Sequence, residues 1–231
     1  VFTGLSPATT YVFYQRIAAT ASSNASPASA GLSVTTEKST PQAAPQPVLK
    51  SVSDSTVTLQ TVAGCEYRMK GGSWQSSPEF TGLSPATSYT FYQRYAATSQ
   101  SYAGASSGGL TVVTSKKATD APEAPEAQEV YADCVVLKAV SGYEYRMEGG
   151  SWQSGVTFTG LSPATTYVFY QRRAATSTTL PSAESAGCRI TTPKRSVSDP
   201  AAPVVRSKTS SSVTLVEIEG YEYRMGNGSW Q

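Results

Sequence analysis

Histidine is absent from this chain of 231 residues. That one gap removes His-based nucleophile triads, imidazole metal ligands and the commonest general base together. A Gly-rich phosphate loop, a Cys-x-x-Cys pair and an Asp-rich calcium loop are missing as well. The chain is therefore expected to be no enzyme, with no catalytic residue, no metal site and no cofactor. Charge is also scarce: charged residues are 15% of the chain and sum to +2, so neither nucleic acid nor an anionic membrane is expected as a partner. No apolar run approaches the roughly 20 residues that cross a bilayer, and membrane insertion is not expected.

What the chain does have is repetition. The stretch FTGLSPATTYVFYQR starts at Phe2 and returns, almost letter for letter, at Phe80 and Phe158, an interval of 78 residues. A second marker, EYRM, starts at Glu66, Glu144 and Glu222 with the same interval. The chain is a tandem array, so core, loops and sites have to be read once per copy. Its three cysteines do not recur: Cys65 stands where other copies have Tyr143 and Tyr221, Cys134 where they have Thr56 and Ser212, and Cys188 where they have Leu32 and Leu110. A disulfide framework would repeat with the unit, so these read as scattered small hydrophobes. Cys134 and Cys188 do share a unit, but on strands expected in different sheets, which makes the strict Cα separation of a bridge hard to meet.

Inside the first marker, Leu5, Pro7 and Tyr11 give the spacing Leu-x-Pro-x-x-x-Tyr, and Tyr11 and Phe13 then fall on one side of an alternating run. Leu83, Pro85 and Tyr89 repeat it, as do Leu161, Pro163 and Tyr167. The proline fixes a bend, the leucine anchors it, and the aromatic has a polar tip to satisfy a buried carbonyl. This pattern resembles the E-to-F corner of fibronectin type III domains. The resemblance covers essentially the whole chain and implies an all-β array of tandem Greek-key β-sandwich modules, with Tyr11, Tyr89 and Tyr167 as structural tyrosine corners.

On that pattern residues 1–39 are the second half of a unit, with Phe2 on strand E, Tyr11 to Thr20 on strand F, and Leu32, Val34 and Thr36 on strand G. Residues 41–117 and 121–194 are complete units, and 199–231 supply strands A to C of a further one. Val1 falls inside an expected strand and Gln231 inside an expected hairpin, so a fragment of a longer protein is expected. Pro-rich stretches such as STPQAAPQP read as short, stiff linkers of constant length. Gly71 and Gly72 mark a tight turn after strand C, and Asn227-Gly228 is a type I′ signal at the same place. The F-to-G loops read as solvent-exposed connectors. Asn24 and Asn227 begin glycosylation sequons at turns.

The core has to rely on aromatics: two strand C tyrosines, two phenylalanines and the corner tyrosine per unit, with the hairpin tryptophan expected to cover it. Outside the core, Glu66, Glu144 and Glu222 alternate with Arg68, Arg146 and Arg224 on one outward face, where strand F would bring Arg16, Arg94 or Arg172 close. They read as a solvated cross-strand charge ladder. The candidate ligand-binding residues are Trp74, Trp152 and Trp230 with Tyr14, Tyr92 and Tyr170. Exposed aromatics stack on sugar rings, and a repeating patch gives avidity. The alternative is that the tryptophans pack over the hairpin edge while the tyrosines cover arginine stems.

The resemblance implies modules of the kind found in large secreted or wall-associated bacterial proteins. There they would be a spacer or adhesion segment at the cell surface, beside neighbouring domains of the parent protein. The alternative is a module that binds a polysaccharide or host glycoprotein. The front half-unit (strands E to G) and the back one (A to C) complement each other, and each alone exposes an apolar face and unpaired edges. Head-to-tail self-association is therefore expected. Sedimentation of the 231-residue chain should show concentration-dependent association, and a profile of monomer alone at high concentration rejects it.

Overall fold

The computed structural model describes all residues, Val1–Gln231, and contains strands but no helix. None of it is a helix long and apolar enough to cross a membrane. The front half-unit holds β1 (Thr10–Phe13) and β2 (Leu32–Thr35). The first complete unit holds β3 (Leu49–Val52), β4 (Val57–Leu59), β5 (Cys65–Met69), β6 (Glu79–Phe80), β7 (Ser88–Tyr95) and β8 (Leu110–Val113). The second holds β9 (Ala127–Val130), β10 (Cys134–Leu137), β11 (Tyr143–Met147), β12 (Thr157–Thr159), β13 (Thr166–Arg173) and β14 (Cys188–Thr191), and the last half-unit holds β15 (Val205–Lys208) and β16 (Val213–Leu215).

Each complete unit is two antiparallel sheets, β3-β4-β6 with β5-β7-β8 and β9-β10-β12 with β11-β13-β14. In letters this is A-B-E with C-F-G. The far half of strand F exists because strand C pairs with it, Cys65 opposite Tyr95 through Met69 opposite Phe91. The front half-unit has no strand C. Accordingly β1 stops at Phe13 instead of reaching Thr20, and Phe2 lies in no strand.

Alternation along the strands sorts side chains into inside and outside. Val57, Leu59, Tyr67 and Phe91 are fully buried in one unit, as are Val135, Leu137, Tyr145 and Phe169 in the next. Phe80 meets Phe91 at 4.7 Å between centroids and Phe158 meets Phe169 at 5.0 Å. Each such side chain contributes roughly 1.5–3 kcal/mol on burial, and the two clusters are separate, one per unit. The tryptophans belong to neither, contrary to expectation. Gln75 pairs with Tyr67 across the hairpin, by N–H···O bonds of 2.7 and 2.8 Å, and so takes the core side. Trp74, one residue away, has to face outward.

The tyrosine hydroxyls of the core and corner are matched locally, whereas Oε1 of the buried Gln93 and Gln171 has no partner. The Tyr67 hydroxyl accepts the Val62 N–H at 2.6 Å and that of Tyr145 accepts the Val140 N–H at 2.7 Å. At the E-to-F corner the Tyr11, Tyr89 and Tyr167 hydroxyls accept the N–H of Ser6, Ser84 and Ser162 at 2.8 to 2.9 Å. The partner is an amide, not the carbonyl expected. That carbonyl goes to a threonine of strand G's exit: Thr114 Oγ1 donates to Ser84 O at 2.6 Å while accepting the Thr87 N–H at 2.9 Å. The corner holds Ala86 at φ 49° and Ala164 at φ 48°, a left-handed conformation that costs alanine about 1–2 kcal/mol.

Two further expectations change. Gly71 and Gly149 do take positive φ, in turns closed by the Gly72 and Gly150 N–H groups to Met69 and Met147. In the last unit the Gly228 N–H bonds Met225 O at 3.0 Å, so Gly226 and Asn227 are the central residues and only Gly226, at φ 56°, is left-handed. Asn227-Gly228 is therefore not a type I′ pair. The F-to-G loops of the two complete units are not free connectors either, because the preceding unit's exit segment pairs with the first turn of each, Ser39 beside Ser101 and Lys117 beside Thr179. The cysteines are free thiols, and burial pushes those of Cys65 and Cys188 up.

Tyr145→Phe leaves the Val140 N–H without its partner and should lower the stability of that unit by about 1–3 kcal/mol in urea titration. Loss of under a few tenths would mean the hydroxyl is not holding the B-to-C corner.

Candidate binding face on the C-F-G sheet

The outward residues of strands C and F converge into one stack. Register sets Glu66 opposite Arg94 and Arg68 opposite Tyr92, and the hairpin lays Trp74 over them. The guanidinium of Arg68 lies 4.6 Å and that of Arg94 4.3 Å from the indole centroid. Arg68 also lies 5.5 Å from the Tyr92 ring, and Arg94 Nε donates to Glu66 Oε1 at 2.6 Å. The next unit repeats this with Arg146 and Arg172 at 5.1 and 4.3 Å from Trp152, Arg146 at 5.1 Å from Tyr170, and Arg172 Nε bonded to Glu144 at 2.9 Å. Arg146 gains a further carboxylate, Glu184, from the F-to-G loop.

This is not the solvated ladder expected. The Glu66 and Arg94 side chains are only 21% and 28% exposed, because the indole roofs them. Cation–π contacts of this partly desolvated kind contribute about 0.5–2 kcal/mol each. The Nε atoms of Arg68 and Arg146 are buried with no hydrogen-bond partner; Arg146 still reaches the Glu184 carboxylate through its other nitrogen, whereas the guanidinium of Arg68 has the two aromatic rings as its neighbours.

The half-units show what the stack needs. Trp230 keeps Arg224 at 4.5 Å but has no strand F arginine, and it is 57% exposed. Tyr14, with no strand C beside it, is 63% exposed. Trp74, Trp152, Tyr92 and Tyr170 are half-buried. The structure thus brings Trp74 with Tyr92 and Trp152 with Tyr170, each pair bridged by one arginine, and leaves Tyr14 and Trp230 at opposite ends of the chain.

A glycine completes each stack, a role that sequence reading missed. A Cβ on Gly109 would meet Thr90 Cγ2 at 2.8 Å and the Tyr92 ring at 3.0 Å, and one on Gly187 would meet Val168 Cγ1 at 2.7 Å and the Tyr170 ring at 3.1 Å. The tyrosine ring lies flat over bare backbone there. Gly31 recurs at the same place beneath Tyr14, and that recurrence was the available signal.

Two sheets of A-B-E and C-F-G order, closed by a tyrosine corner, decide the architecture. The units are fibronectin type III-like sandwiches in tandem. Fibronectin type III tandems are also among the solved structures similar to this chain. The FN1-FN3 domains of chicken CNTN1 match at 16% identity over 81% of this chain and 79% of theirs, with a TM-score of 0.30. A two-domain fibronectin type III segment of chicken tenascin matches at 15% identity over 63% of this chain and 99% of its own, with a TM-score of 0.35. No family model and no curated protein matches. The assignment rests on the strand pairing itself.

Arg94→Ala with Arg172→Ala removes one guanidinium from each indole. Tryptophan emission should shift to the red, acrylamide quenching should rise, and each unit should lose about 1–2 kcal/mol. Unchanged quenching would show that the arginines do not cover the rings.

Proposed function

We propose that this chain is a non-catalytic spacer or adhesion segment of a larger extracellular or cell-surface protein, holding neighbouring domains apart. One observation supports this reading above others: the outward aromatics are engaged within their own unit. A ring laid over two guanidiniums, each within about 5 Å of its centroid, is already engaged on the face it turns to the sheet. The face is also built from the sheet's own register, so it exists for folding reasons whether or not a ligand is present.

A second reading, a glycan- or protein-binding module, draws on a specific observation too. Two consecutive units carry the same half-exposed Trp-Arg-Tyr stack, and a polymer meeting both would gain avidity. An array of polysaccharides and host glycoproteins, probed with the 231-residue chain, separates the two. No saturable binding is expected. Saturable binding that disappears in a folded Trp74→Ala, Trp152→Ala double variant would transfer the assignment to the second reading, with those residues and Tyr92 and Tyr170 as its site.

A further inference from the structure

Successive units meet through a joint that recurs atom for atom. Ser39 donates its N–H to Gln100 O at 2.9 Å and accepts the Tyr102 N–H at 2.9 Å, while Lys38 Nζ donates to Thr98 O at 2.9 Å. At the next junction Lys117 donates to Thr178 O and accepts from Leu180, both at 2.9 Å, and Lys116 Nζ donates to Thr176 O at 2.8 Å. A strand-like parallel bridge and one lysine thus seat each exit segment on the following F-to-G turn.

The turn is built to receive it. The Thr98 N–H closes onto Ser101 O at 3.0 Å, and the two hydroxyls pair at 2.8 Å. Thr176 and Thr179 repeat this. The Thr20–Ser23 turn keeps the same bonds, 2.9 Å between main chains and 2.8 Å between hydroxyls, with no exit segment beside it. The turn therefore does not need its partner in order to form, and its outward carbonyls are preset acceptors.

Little freedom remains between units. Ser115 is bonded to its own unit on both sides, donating to Ser53 O at 2.9 Å and accepting from Ala86 at 3.1 Å, and Lys117 is already bonded to the next unit. Lys116 is the one residue between them. At the earlier junction Glu37 O accepts from Ala8 at 3.1 Å, which leaves Lys38 alone. Beyond the joint, the Pro-rich segment is fastened in turn: Gln93 and Gln171, both buried, donate to Pro45 O and Glu123 O at 2.8 Å.

We infer that the F-to-G turn is a socket for the exit segment of a preceding unit of this same repeat, and that socket and lysine together fix the orientation of each unit on the last. Adjacent domains by default move relative to one another. Here the pivot has the two soft dihedrals of one residue, and main-chain bonds fasten the chain on either side of it. Lys194 occupies the position of Lys38 and Lys116 and is assigned the same part toward the turn of a following unit. The inference extends the spacer reading by saying how spacing is set, and its test reads geometry alone, so it can fail while the binding result stands.

The test uses the full chain with Cys65→Tyr, Cys134→Thr and Cys188→Leu, the residues that other copies carry. Spin labels at Lys50→Cys and Gln128→Cys, exposed on β3 and β9, report the inter-unit distance by pulsed electron resonance. A single narrow distribution is expected. Lys117→Pro, which removes the N–H donor, and a Gly-Ser insertion after Ser115 should each broaden it about two-fold or more, with circular dichroism unchanged. A parent distribution as broad as that of the insertion variant, or an insertion that leaves the width unaltered, overturns the inference. Should Lys117→Pro disturb folding, the insertion decides alone.

Discussion

Strand F carries the constraint on which everything else depends, namely that its side chains alternate between two environments. In β7 the inward set is Tyr89, Phe91 and Gln93, which serve in turn the corner, the core and the anchored Pro-rich segment. The outward set, Tyr92 and Arg94, builds the stack with Arg68, Trp74 and Glu66. A one-residue slip would put a guanidinium in the core and a phenylalanine in water. Strands C and G are held in register on either side, so that error is corrected from two directions. Where strand C is missing, strand F shortens to β1 and its outward tyrosine loses its cover.

The outer face shows how a small sandwich gains order outside its core. Trp74 and Trp152 are neither core nor free surface: each closes over a strand F arginine whose charge is matched by glutamate on the same sheet. Burying a guanidinium against a ring costs desolvation that the π-face and the carboxylate offset together. The contrast between Trp152 and Trp230, the same residue with and without strand F, shows that the cover comes from the neighbouring strand and not from the hairpin.

Much of this was legible in the sequence, and the reasons for what was not are physical. The corner, the core alternation and the meeting of Glu66 with Arg94 follow from period-2 patterning and a repeated motif. The direction of Trp74 did not, because it depends on which hairpin residue bridges Tyr67, a choice of one residue that composition does not mark. The joint was invisible for a different reason. Its bonds run between main-chain atoms of Ser39, Gln100 and Tyr102, which any residue but proline could supply, so only the recurrence of Lys38 and Lys116 left a trace. Gly109 carries no mark in composition or alternation, since what requires it is its place beneath the Tyr92 ring.

The Pro-rich segment begins at a fastening and ends at strand A, and this bears on how the array would yield to tension. A pull along the chain loads the Ser39 bridge first, across its bonds. Once that gives, peeling the segment from Ser39 to Val48 breaks the Gln93 and Gln46 side-chain bonds and draws Ala44 out of the edge of the core. About ten residues are then released, at roughly 3.3 Å each when extended, while both sheets of the unit stay whole. This junction is therefore a short reserve of chain length in series with the sandwiches, held by one main-chain bridge, two side-chain bonds and the edge of the core.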